Sequence, residues 1–93
     1  MTNISPRETA LREELAELVA EYAPQRFALC WTDWVADDGG VAYWGLRFPG
    51  GRTVLVGDSG RDVGFFSSTD NARRIVGRRH PLELIWLDSP CSP

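Results

Sequence analysis

Three stretches of this chain, residues 27 to 34, 41 to 48 and 52 to 57, alternate apolar with other side chains, and Asp37-Asp38-Gly39-Gly40 and Pro49-Gly50-Gly51 separate them. Alternation of period two between turn-forming residues is the pattern of antiparallel strands joined as a meander, because successive side chains of a strand leave on opposite faces. Setting Trp34 against Val41 places Trp31 opposite Trp44, Leu29 opposite Leu46 and Phe27 opposite Phe48. Pairing Phe48 with Arg52 then brings Val54 to Leu46 and Val56 to Trp44. The expected core face is Phe27, Leu29, Trp31, Ala42, Trp44, Leu46, Phe48, Val54 and Val56. Cys30, Thr32, Trp34, Tyr43, Gly45, Arg47, Thr53 and Leu55 take the other face, which is aromatic yet poor in acid/base groups.

The remaining segments complete an α-β-β-β-β-α-β order. Ser5, Pro6 and Glu8 stand at N-cap, N1 and N3 of a helix whose stripe of Leu11, Leu15, Leu18, Val19 and Tyr22 faces the core and which Pro24 ends. Beyond the meander, Val63 to Phe66 reads as a short strand with Val63 and Phe65 inward. Ser67 to Asp70 caps a second helix that turns Ala72, Ile75 and Val76 inward and closes at Gly77. Leu82 to Leu87, apolar on both sides, reads as a strand that is central or covered on both faces. The expected fold is an α+β two-layer sandwich, with a mainly antiparallel sheet of about five strands and the helices packed on one face.

Ninety-three residues make a single domain spanning 1–93, with residues 1–4 and 88–93 expected to be flexible. A chain of this size buries roughly 60 to 65% of its unfolded surface and folds without disulfides or metal. The apolar fraction of 43% and charged fraction of 25% are those of a globular protein. With no apolar run of membrane-spanning length and no signal-like segment, the chain is expected to be cytoplasmic, with no membrane partner. Cys30 lies in a strand and Cys91 in a Ser-Pro-Cys-Ser-Pro tail, so both are expected to be free thiols.

Candidate chemistry is sparse. Gly57-Asp58-Ser59-Gly60 resembles the nucleophile turn of trypsin-like serine proteases over four residues, but it lacks the glycine that follows there, and it reads as a turn. A serine without a positioned base is not a nucleophile at neutral pH, and the chain has one histidine, His80. An enzyme would need His80 to meet an acid such as Asp58 or Asp62, and nothing in the spacing brings them together. The glycines around residues 50 to 57 bracket a strand rather than opening a helix, so no phosphate loop is present. Asp33, Asp37 and Asp38 lack the spacing of a calcium loop. No cofactor and no metal is expected.

Two surfaces stand out. Trp34, Tyr43, Gly45 and Arg47 would form a shallow aromatic depression on the face away from the core, a composition suited to binding another protein. The chain itself or a second copy could instead cover that face. Arg73, Arg74, Arg78, Arg79 and His80 concentrate positive charge near the second helix's C-terminus, where cations complement the helix dipole and the acidic first helix would lie close by. The alternative function is binding of nucleic acid or a phosphorylated ligand there, although the net charge of −3 does not favour a polyanion. The leading expectation is a small interaction protein of adaptor, regulator or immunity type, without catalytic activity, that binds another protein through the aromatic sheet face. A homodimer is the further possibility.

Overall fold

The computed structural model describes residues 5 to 88. Cys91 and the expected flexible ends lie outside them, apart from Asp88. The order is α1 (Pro6–Tyr22), β1 (Gln25–Asp33), β2 (Asp38–Arg47), β3 (Thr53–Gly57), β4 (Val63–Phe66), α2 (Thr69–Val76) and β5 (Glu83–Trp86). All five strands form one sheet in the order β4-β3-β2-β1-β5, and every neighbouring pair is antiparallel. The protein is therefore an α+β domain with the order read from the sequence.

Local chemistry explains the element ends. The Ser5 hydroxyl accepts from the backbone N–H of Glu8 at 3.2 Å and starts α1 with Pro6 in its first turn. Ser68 does the same for α2 through the Asn71 N–H at 3.0 Å. Between β2 and β3, Gly50 and Gly51 take φ values of 92° and 99°, a region costly for any residue with a Cβ. Phe48 N–H then donates to the Arg52 carbonyl at 2.8 Å, so Trp44 meets Val56 and Leu46 meets Val54 in the expected register.

The first hairpin differs. Its turn occupies residues 34 to 37, ahead of the Asp-Asp-Gly-Gly run, and Asp38, Gly39 and Gly40 belong to β2. The Asp33 carboxylate accepts from the N–H groups of Val35 at 3.1 Å and Ala36 at 3.0 Å, an Asx turn that begins the reversal early. Asp37 completes it with a φ of 54°. Trp31 consequently lies beside Gly40, and a β-bulge between Leu29 and Cys30 then shifts the pairing back by one residue, to Leu29 with Tyr43 and Phe27 with Gly45. That step changes the parity of the pairing. Phe27 and Leu29 share their face with Tyr43, Gly45 and Arg47, not with Trp44, Leu46 and Phe48.

The core lies between this face and α2. Phe27, Leu29, Leu55, Ala72 and Leu82 form it, with Ala42, Tyr43, Phe66, Val76, Leu84 and Trp86 packed around them. Phe27 and Trp86 meet as tilted rings 5.2 Å apart. Thr53 and Thr69 are buried where α2 begins, their hydroxyls 2.9 Å apart. In β4 the expected orientation is reversed: Val63 and Phe65 are exposed, while Phe66 packs on the core and its ring covers Gly64. Ile75 is also exposed. β5 is an edge strand, with Leu84 and Trp86 toward the core and Ile85 toward solvent.

Among the described residues, α2 is the helix that packs on the sheet. Although α1 has the expected bounds, it buries none of its residues, and its leucines stand in solvent. The helix projects from the β1 end and gives the molecule extents of 60 × 30 × 26 Å.

Candidate functional site

The sheet has one covered face and one open face. Ala28, Trp44, Leu46, Val54, Val56, Phe65, Ile85 and Leu87 lie on the open side, drawn from all five strands and the segment after β5. Phe65 is 80% exposed, Ile85 54% and Trp44 44%. Trp44, Leu46, Val54 and Val56 are among the residues whose alternation marked the core in the sequence, and Phe65 was likewise expected inward.

Polar contacts fix the rim of this surface. Trp44 Nε1 donates to Asp58 Oδ1 at 3.1 Å, which holds the indole in place beside Val56. Arg26 and Asp88 form a bidentate pair, with Nε to Oδ2 at 3.1 Å and Nη2 to Oδ1 at 2.9 Å. The Arg26 backbone N–H adds a third bond to Oδ2 at 2.8 Å. These bonds hold the Asp88 carboxyl down at about 2 and raise the Arg26 guanidinium further. Asp88, expected in a flexible tail, is thus fastened to β1. Between the two rims, Trp44, Leu46, Val54, Val56 and Leu87 line a shallow apolar depression.

The four residues read as one partner-binding depression are not brought together on an open face. Trp34 sits in the first turn and is 78% exposed. Tyr43 packs against the core on the α2 side. Gly45 is buried, and the Phe27 ring fills the space in front of it. Arg47 is half-buried and donates from Nη1 to Gln25 Oε1 at 3.1 Å. The dent inferred at Gly45 exists, and a side chain of the same protein occupies it.

The arginine cluster keeps its place at the end of α2 but divides its roles. Arg73 Nε donates to the Leu82 carbonyl at 3.0 Å and ties α2 to the approach of β5. Arg74 Nη2 donates to Asn71 Oδ1 at 2.6 Å. Arg78, Arg79 and His80 line a hollow with Trp31, Tyr43 and Ile75. The acidic α1 does not bury any of its residues against them. His80 is on the α2 side while Asp58 is on the open side beside Trp44. Among the described residues, no three histidine, cysteine or carboxylate side chains gather in a group that could hold a metal ion. Nor is any helix among them long and apolar enough to cross a membrane.

Compared with protein-family models, curated proteins and solved structures, the chain matches none. The class its own fold defines is a small α+β domain with an antiparallel sheet, one sheet face open and one helix unpacked.

Proposed function

We propose that this protein is a cytoplasmic interaction module without catalytic activity, and that it engages a protein surface through the open face of its sheet. One observation carries the reading: four large apolar side chains, Trp44, Phe65, Ile85 and Leu87, stand exposed together on the sheet face away from α2. Contiguous apolar surface with a polar rim, here Asp58 and the Arg26–Asp88 pair, is the anatomy of a protein contact. Trp44 is the natural anchor, being large, central and held in one orientation by Asp58. This moves the contact from the Trp34, Tyr43, Gly45 and Arg47 set to the other side of the same strands.

The test replaces Phe65 with a photoreactive phenylalanine analogue in the full chain and irradiates cells that express it. Covalent adducts with a polypeptide, whether a second copy or another protein, are expected. Irradiation that yields adducts from neither Phe65 nor an equivalent probe at Ile85 overturns the reading.

A further inference from the structure

Among the described residues, two apolar surfaces lack a partner. One is the open sheet face. The other is the α1 stripe, where Leu11, Leu15, Leu18 and Tyr22 recur at spacings of four, three and four and are all exposed. The radius of gyration is 17.9 Å, against about 12 Å for a compact fold of this length. The chain exposes 7496 Å², against about 5,400 Å² for a compact monomer of its mass. A protomer this open has surface to bury.

We propose that each open sheet face is covered by α1 of a second copy, so that two protomers exchange helices in a two-fold dimer. The proposal rests on the reading of that face as a protein contact and names its occupant. Three features of the chain favour this occupant.

The dimensions agree: a 17-residue helix is about 25 Å long, and the nine residues of β1 span about 30 Å. Helix on sheet, repeated by the two-fold, buries on the order of 2,000 Å², the range of permanent homodimers.

The hinge is stiff. Ala23 and Pro24 alone separate the helical Tyr22 from Gln25, which is already paired with Arg47. Ala23 is extended at φ −63°, ψ 137°, and the Pro24 ring disfavours the helical alternative. With φ of Pro24 also fixed, α1 is held as a strut away from its own sheet, and exchange satisfies it with no change at the hinge.

Charge permits the contact. Five glutamates and two arginines give α1 the whole net charge of −3, so the remaining body is neutral and does not repel the incoming helix. Pairing of two α1 helices with each other is the weaker solution, because the stripe is under two heptads long and would leave both sheets bare.

The test measures the mass of the full chain by sedimentation across concentration. Wild type is expected at twice 10.4 kDa. Leu15→Gln on the helix and Trp44→Gln on the sheet each weaken the dimer by at least about 30-fold, while circular dichroism retains the folded sheet. The decisive arm mixes the two variants. Leu15→Gln supplies an intact sheet and Trp44→Gln an intact helix, so a mixed dimer forms with one sound contact, at concentrations where each variant alone is monomeric. A wild-type monomer at every concentration overturns the exchange, and adducts to another protein in the cross-linking experiment would then leave the broader reading standing. A dimer that responds to only one of the two substitutions, or variants that fail to complement, also overturns it.

Discussion

The Phe27 ring occupies the space in which a Cβ on Gly45 would sit. The two residues are cross-strand partners in β1 and β2, and the bulge between Leu29 and Cys30 brings them opposite each other. Phe27 is fully buried, with Trp86 on its other side, so the ring has no direction in which to yield. Gly45→Ala is therefore expected to destabilise the domain by about 3 kcal/mol, at the upper end of core overpacking. Urea unfolding followed by tryptophan fluorescence measures it. A loss within about 0.5 kcal/mol would mean that the β1–β2 register described above is wrong.

Thr53 and Thr69 give a second check on how α2 seats. Thr53 Oγ1 lies 3.0 Å from the Gly51 carbonyl, and its single proton goes there. Thr69 must then donate across the 2.9 Å contact to Thr53. Thr53→Val strands the buried Thr69 hydroxyl and the Gly51 carbonyl, for an expected loss of about 1 to 3 kcal/mol. Adding Thr69→Val to that variant removes the stranded donor and costs less than the sum of the two single changes. A double-mutant cycle with no coupling would contradict the bond.

The sequence revealed which residues share a face of each strand and, for β1, that Phe27 and Leu29 turn inward, but it misassigned the inward face of β3 and β4 and of the Trp44–Leu46 part of β2. The β2–β3 register was legible because Pro49-Gly50-Gly51 leaves one compact loop, and Gly50 and Gly51 adopt the positive φ it demands. The β1–β2 register was not. Asp33 starts the turn through two backbone hydrogen bonds, a signal weaker to the eye than Asp-Asp-Gly-Gly, and the bulge has no residue signature in Leu29-Cys30. A change of one in pairing then transferred Trp44, Leu46, Val54 and Val56 from the expected core to the open face. Burial of the most apolar set is a sound rule for an isolated domain. Here it holds for Phe27 and Leu29 and fails for Trp44, Leu46, Val54 and Val56, which the change of parity turns away from α2.

The Arg26–Asp88 pair predicts a pH dependence with a definite sign. Folding lowers the Asp88 carboxyl from 3.8 to about 2, mainly through its bonds to Arg26. Its stabilising contribution is fully present above the unfolded value and is lost as pH falls through the interval down to about 2. Both side chains are partly exposed, so added salt weakens the effect. Asp88→Asn is expected to melt below wild type at neutral pH and to converge with it toward pH 2, near the folded-state value of Asp88. Equal melting temperatures at neutral pH and low salt would show that the pair does not fasten the end of the sheet.

The hinge offers the most direct control over α1. Ala23 is extended and the Pro24 ring fixes its own φ, and these two residues alone lie between the helix and the first paired residue of β1. Inserting a flexible Gly-Ser segment of about six residues after Ala23 lets the helix turn back over its own sheet, where its effective concentration exceeds that of a second copy. The Leu15 stripe and the Trp44 face then satisfy each other within one chain. The lengthened protein is expected to be a compact monomer whose radius of gyration falls from 17.9 Å toward about 12 Å. Small-angle scattering reads that change, and hydrogen exchange should show α1 amides protected at all concentrations. If the insertion instead leaves a monomer with a solvent-exchanging helix, α1 has no affinity for the open face, and the exchange fails with it.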